Sequence, residues 1–240
     1  MTKGELHFFR PYWPQIPSVR GFSVASARDA FDVTFRGSSE GAVAARTVLE
    51  THIRPVEPIR WLEQPHGANV VRLPEAGAMD GDGAVTRTPR IVCAMRSADC
   101  LPILFTSMAG DVVGVAHAGW KGFRAGIIQS TIRALECPPG EILAWLGPAI
   151  SRPFYQTSIE VRDQFVGQDH LLAGVFIPSG PDKFQMDLYA FARNILAAEG
   201  VLAENISGGD LCCFSDHRLH SVRRDGDHAG RMATVIWITG

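Results

Sequence analysis

The sequence predicts an α+β protein, a single domain over residues 1–240 in which a mixed β-sheet is flanked by helices. Three observations carry that expectation. Short runs rich in Val, Ile, Leu and Phe alternate with longer segments of helical period. Several neighbouring runs are joined by turns too short for the crossover that parallel strands require, which disfavours a doubly wound sheet. No repeat, low-complexity tract or linker divides the 240 residues, a length that one large core can hold.

Taken in order, residues 1–20 read as a Pro-punctuated lead-in whose Phe8, Phe9, Tyr12 and Trp13 pack on the main body. Gly21 to Phe35 alternates weakly, as one or two strands. Ser38 or Ser39 caps a helix running to about Glu50, because Ala44, Ala45, Val48 and Leu49 recur at helical spacing. Ile59–Leu62 is a short strand that delivers Gln64 and His66 to a turn, and Asn69–Leu73 is another. Asp80-Gly81-Asp82-Gly83 is a turn before a strand from Ala84 to Thr86. Ile91–Met95, Leu101–Phe105 and Val112–Ala116 are apolar enough for buried strands, the last ending at His117. A helix follows from Gly119 to about Leu135, with Ile127, Ile128, Thr131, Ile132 and Leu135 on one stripe. Ile142–Leu146 is a strand, Ser158–Val166 and Asp187–Glu199 are helices, and Ser221–Arg224 and Thr234–Ile238 are the last strands.

Composition narrows the function. The formal charge of −2 gives no electrostatic footprint for nucleic acid or an anionic membrane surface. No apolar run approaches the ~18 residues of a membrane span, and Leu6–Trp13 is broken by His7, Arg10 and Pro11, unlike a signal peptide. Five cysteines, an odd number without a Cys-x-x-Cys pair, fit reduced thiols and a cytoplasmic address. The P-loop, the Gly-rich dinucleotide fingerprint and the zinc-deaminase signature are missing. None of the eight histidines forms a His-x-His pair, which argues against multicopper oxidase chemistry.

The chemistry-bearing residues cluster around Ala98–Gly122. Cys100 and His117 stand at the ends of strand-like runs, and His66 lies upstream beside Gly67. One thiolate and two imidazoles suit a borderline-soft ion such as Zn²⁺, with a fourth position left open. The same residues also suit a metal-free cysteine nucleophile, with His117 or His66 as base and the Asp99 carboxylate or a nearby amide orienting the imidazole. Both readings stay open on residue chemistry, beside a third in which Cys100 is an inert core thiol. Arg223 and Arg224 offer guanidinium groups for phosphate or carboxylate. On a strand they would face opposite sides, so only one would face a given pocket. Lys121 adds positive charge at a helix start. Gln64 and Asn69 flank His66 as candidate substrate contacts, and Trp120 and Phe154 are candidate stacking partners. His170, His217, His220 and His228 have no matched partners in the sequence.

At these positions the chain resembles the YfiH, or laccase-domain, family, whose members are described as purine nucleoside phosphorylases. The matching pieces are Gln64-Pro-His66-Gly67, Ala98-Asp-Cys100-Leu-Pro-Ile-Leu and His117-Ala-Gly-Trp-Lys-Gly122. Gly147-Pro-Ala-Ile150 with Tyr155, and Ser221-Val-Arg-Arg-Asp-Gly226 through Gly230-Arg-Met-Ala, complete the set. The resemblance implies a single α+β domain with zinc on His66, Cys100 and His117, copper being a possible substitute. It also implies phosphorolysis of adenosine, inosine, guanosine and S-methyl-5′-thioadenosine, with adenosine deamination as a side activity. Purine nucleosides and inorganic phosphate are then the partners; in residue terms one of Arg223 and Arg224, with Lys121, would hold phosphate, Gln64 would contact substrate, and Asp99 is the candidate proton donor. The chain departs from the family pattern at Pro65, where Val is common, and at Leu219-His220-Ser221-Val222, where Phe-Phe-Ser-Tyr is common. The competitors are a cysteine hydrolase or amidase built on Cys100 and His117, a purine-binding protein without turnover and, less favoured, a laccase-like polyphenol oxidase. Oligomeric state is not legible in the sequence.

Overall fold

The structure, a computed structural model, describes residues 6–13, 16–26, 40–74, 77, 79–166 and 174–240. Its centre is a six-stranded sheet built from β3 (Val70–Leu73), β4 (Gly83–Thr86), β6 (Leu101–Ser107), β7 (Val113–Ala118), β8 (Ile142–Leu146) and β12 (Ile206–Gly208). The order is β12-β8-β6-β7-β4-β3. The outer pairs β12–β8 and β3–β4 are parallel and the inner three are antiparallel, which makes the sheet mixed. A four-stranded antiparallel sheet is formed by β1 (Leu6–Phe9), β2 (Val19–Ser26), β13 (Met232–Ile238) and β5 (Cys93–Ser97), in the order β1-β2-β13-β5. Three short strands, β9 (Gln156–Ser158), β10 (Phe176–Gly180) and β11 (Lys183–Met186), make a separate antiparallel unit.

Alternation along the strands assigns the layers. On β6, Leu101, Ile103 and Phe105 join a core with Ile127, Ile128, Ile132 and Leu135 of α3 (Ile127–Leu135) and Phe191, Ile195 and Leu196 of α5 (Leu188–Ala198). Leu104, with Val113 and Val115 of β7, faces the other way, onto Cys93 and Met95 of β5 and Ile236 and Ile238 of β13. The outer face of the four-stranded sheet, with Phe22, Val24, Ala94, Val235 and Trp237, is covered by Leu49 and Ile53 of α1 (Glu40–Ile53). The layers therefore run helix, sheet, sheet, helix, because strand residues of period two bury both faces of each sheet. Each of the larger buried side chains contributes roughly 1.5–3 kcal/mol.

Several local expectations are corrected. The helix expected over Gly119–Leu135 is two helices, α2 (Trp120–Ala125) and α3, broken at Gly126. Gly126 has φ +87°, and its N–H returns to the carbonyls of Gly122 and Phe123 to close α2, a left-handed cap that glycine adopts without steric cost. Ser221–Arg224 is not a strand. Ser221 caps a short helix, α6 (Val222–Asp225), by accepting from the Arg224 N–H, the local bond that Ser offers at such a position. Ile59–Leu62 pairs only through an isolated bridge between Trp61 and Ala94. Pro58 and Pro65 bring no N–H to this segment. The Gln64 side chain takes the ladder's place, its amide nitrogen donating to the Arg96 carbonyl (2.7 Å) and its oxygen accepting the Arg96 N–H (2.9 Å). The lead-in contains a real strand, β1, on which Phe8 packs edge-on against Phe22. Ser158 ends β9, and α4 begins one residue later (Ile159–Val166). The expected cap at Ser38 or Ser39, the stretch from residue 27 to Phe35, and His170 lie outside the described residues.

Candidate metal site and cleft

Three loops meet where the two sheets run out. His117 is two residues beyond Val115 on β7, so its side chain continues the face that looks between the sheets. β6 and β7 are registered with Leu101 opposite Ala118, which leaves Cys100 and Gly119 facing each other at the open end. Cys100 belongs to the connection that carries the chain from β5 in one sheet to β6 in the other. His66 arrives on the segment that Gln64 clips to Arg96. Gln64, His66 and Asp99 all hold positive φ (+58°, +68° and +83°), conformations rare outside glycine and found where surroundings over-determine the backbone.

The donor atoms of His66, Cys100 and His117 lie within 4.8 Å of one another. Zn–S bonds of ~2.3 Å and Zn–N bonds of ~2.0 Å to one shared ion require donor separations below ~4.4 Å, so small side-chain adjustments complete a three-ligand set. His117 is buried, Cys100 is half-buried and His66 is exposed, which opens the set on one side. The two imidazoles meet edge-on at 4.9 Å. Gly119 makes room for the sulfur: a Cβ there would stand 2.7 Å from the Cys100 Sγ.

Asp82 holds the arrangement from behind. Wholly buried, its carboxylate takes the His117 Nδ1 at 2.9 Å and accepts the N–H groups of His66 (3.1 Å) and Gly67 (2.6 Å). Its backbone carbonyl accepts the His117 N–H at 2.7 Å. A carboxylate on Nδ1 fixes the imidazole so that Nε2 presents its lone pair to an ion. Electrostatics agree with a thiolate at this position. Burial opposes ionisation of Cys100, but the charges and hydrogen bonds of His117 and His66 overcome it and bring the thiol down to about 6. Burial likewise opposes the charge on His117, and the Cys100 thiolate and the Asp82 carboxylate outweigh it, raising the imidazole to about 9.

A cleft of about 850 Å³ opens over these residues. Lys121 and Arg223 line it, with the Lys121 ammonium 5.7 Å from the Trp120 ring and the Arg223 guanidinium 5.4 Å from that of Tyr155. Arg224 is turned away, donating to the carbonyls of Cys213, Phe214 and Leu219 and pairing with Asp225 at 2.7 Å. The partition expected of a strand thus arises on a helical turn. Asp99 lines the cleft, yet three donors converge on its carboxylate: Ser221 Oγ (2.6 Å), Cys213 Sγ (3.2 Å) and the Arg223 N–H (2.7 Å). Gln64 is bound to Arg96 at both ends of its amide, and Asn69 donates to the Asp80 carbonyl. Phe154 stacks on Phe214 at 4.5 Å.

Sequence reasoning overlooked Asp82, which sits in an Asp-Gly-Asp-Gly stretch that reads as a turn. Its trace is phase: Asp82 precedes the buried Ala84 by two residues and so shares its face. Tyr155 stands out in the sequence only as part of a motif. Its ring lines the cleft, and its hydroxyl makes no hydrogen bond among the described residues. Burial, with the negative charge of Cys100, holds that phenol well above its usual range and therefore protonated.

A two-sheet scaffold that brings a thiolate and two imidazoles to the floor of an Arg- and Lys-lined cleft defines a candidate metal-dependent enzyme for an anionic co-substrate. The chain belongs to the family described as multi-copper polyphenol oxidoreductase laccase, which matches residues 32–239. It is similar to the purine nucleoside phosphorylase YfiH of Escherichia coli strain K12, with 43% identity over 188 residues, 77% of this chain and 75% of that one. A Pseudomonas aeruginosa protein also named purine nucleoside phosphorylase is 36% identical over 237 residues, covering 95% of this chain and 97% of its own. The crystal structure of a Neisseria meningitidis protein superposes with a TM-score of 0.87 at 35% identity, over 97% of this chain and 99% of that chain.

Proposed function

We propose that the protein is a zinc-dependent purine nucleoside phosphorylase. It takes adenosine, inosine, guanosine or S-methyl-5′-thioadenosine with inorganic phosphate to the free base and the sugar 1-phosphate, and deaminates adenosine as a side activity. The observation that carries this reading is the convergence of His66, Cys100 and His117 beneath a cleft walled by Lys121 and Arg223. Relatives that bear the phosphorylase name supply the reaction class.

Phosphorolysis breaks the C1′–N9 bond, with the electron pair leaving on the purine, and forms a bond from a phosphate oxygen to C1′. Lys121 and Arg223 hold the phosphate against the sugar, which converts an encounter of three partners into a positioned reaction. His66, Cys100 and His117 would hold the zinc, which when bound would supply Lewis acidity at the cleft floor. Tyr155 donates a hydrogen bond to the departing base, because its neutral hydroxyl is uncommitted among the described residues. Asp99, the sequence's candidate for that role, serves instead as an acceptor that positions α6 and with it Arg223, since three donors already occupy its oxygens. Gln64 and Arg224 act as braces for the His66 segment and the α6 turn rather than as substrate contacts.

The test follows ribose 1-phosphate from inosine as a function of added phosphate, in protein stripped by chelator and then reloaded with zinc or with copper. Activity is expected to need both phosphate and metal and to return with zinc. Equal rates before and after stripping would overturn the metal's role, and no phosphate-dependent ribose 1-phosphate from either form would favour the second reading, a cysteine hydrolase, which the thiolate-stabilising Cys100–His117 contact also supports.

A further inference from the structure

The cleft offers cations and donors in excess, but an acceptor is scarce. Of the carboxylates at the site, Asp82 is sealed beneath His117, and Asp99 accepts from Ser221, Cys213 and Arg223. The Gln64 amide oxygen is taken by Arg96. Glu63 is different. It lines the cleft, is exposed, and its carboxylate makes no hydrogen bond or ion pair among the described residues. Its backbone is fixed, its N–H donating to the Met79 carbonyl at 2.9 Å while the next residue clips onto Arg96. An open carboxylate at a tethered position repels phosphate and, having two acceptor oxygens and no donor, matches a pair of adjacent donors.

We infer that Glu63 is a specificity-determining residue that accepts hydrogen bonds from the 2′- and 3′-hydroxyls of the ribose. This rests on the nucleoside reading above and deepens it. The two cis hydroxyls of a ribose are spaced for the two oxygens of one carboxylate. They are also the donors common to adenosine, inosine, guanosine and S-methyl-5′-thioadenosine, whose base edges differ and the last of which lacks the 5′-hydroxyl. A carboxylate placed for the base edge would separate guanosine from adenosine, whereas one placed for the diol treats them alike. Because a site built to bind a hydroxyl leaves its acceptor unpaired when that hydroxyl is missing, Glu63 disfavours 2′-deoxynucleosides.

The experiment compares kcat/KM for inosine, 2′-deoxyinosine, guanosine and adenosine in wild type, Glu63→Gln and Glu63→Ala. The ratio between enzymes cancels the greater intrinsic lability of the deoxynucleoside. Glu63→Ala is expected to lower kcat/KM for inosine by about 10- to 100-fold, the range for a hydrogen bond to a charged group, and to lower it for 2′-deoxyinosine, which keeps only the 3′ contact, by a factor at least about threefold smaller. Glu63→Gln, whose amide oxygen still accepts, should fall between. Equal losses on both sugars, no loss, or a change confined to the guanosine-to-adenosine ratio would overturn the assignment. Absence of phosphorolysis in wild type would sink the function but not this test. Calorimetric binding of inosine against 2′-deoxyinosine then decides: a preference for inosine that Glu63→Ala abolishes upholds the role, and equal affinities overturn it.

Discussion

At the scale of single residues, the site separates groups that are spent from groups that are available. Asp82, Asp99, Gln64 and Arg224 all carry chemistry-bearing side chains near the cleft, and each is bound by the protein itself. Tyr155 is available. If its hydroxyl assists the departing purine, Tyr155→Phe should lower kcat/KM for inosine by about 10²- to 10³-fold, the usual cost of one donor aimed at developing charge. 7-Methylinosine gives a severe control, because its cationic base leaves as a neutral molecule and needs no donor at N7. Its phosphorolysis should change by less than about threefold. Parallel losses on the two substrates would instead put the hydroxyl on phosphate or sugar. Which residues were spent could not be read from the sequence, since commitment depends on partners up to 124 positions away, as with Arg223 and Asp99.

At the scale of elements, strands and apolar stripes were legible because period and burial coincide. Leu101–Phe105, Val112–Ala116 and the Ile127–Leu135 stripe are packed as their spacing requires. Two of the errors fall where a side chain substitutes for backbone. Ser221 turns a strand-like Ser-Val-Arg-Arg into a capped helix, and Gln64 replaces a strand's peptide groups along β5. The β7–α2 junction shows how tightly element geometry and site chemistry are joined. Gly119 opposes Cys100, and its missing Cβ is the space the sulfur occupies. Gly119→Ala must displace the thiol, because the contact would be 2.7 Å. The expected result is a folded protein whose metal affinity, measured by competition with a chromophoric chelator, falls at least about tenfold, as losing the support of one ligand does. Unchanged affinity would show that Cys100 is not a ligand.

At the scale of the whole molecule, the three candidate ligands belong to parts that the chain assembles separately. His117 extends the six-stranded sheet, Cys100 sits on the passage between the sheets, and His66 follows a segment clipped to the four-stranded sheet through Arg96. The resemblance to YfiH proteins named these residues, but residue chemistry alone left metal and nucleophile readings open, because no compact spacing joins positions 66, 100 and 117. An ion shared by all three would fasten one sheet to the other. Whatever binds the folded chain alone stabilises it by an amount set by its concentration relative to Kd, about 4 kcal/mol at a thousandfold excess. For a chain of this length each kcal/mol is about 2–4 °C in Tm, so zinc loading should raise Tm by about 8–16 °C. Cys100→Ala and His117→Ala proteins should lose most of that rise, because two ligands bind far more weakly than three. Scanning calorimetry of stripped and zinc-loaded protein reads the effect directly. A rise that survives in both variants would place the ion elsewhere, and no rise in wild type would leave the joint between the sheets to the apolar layer of Leu104, Val115, Met95 and Ile236 alone.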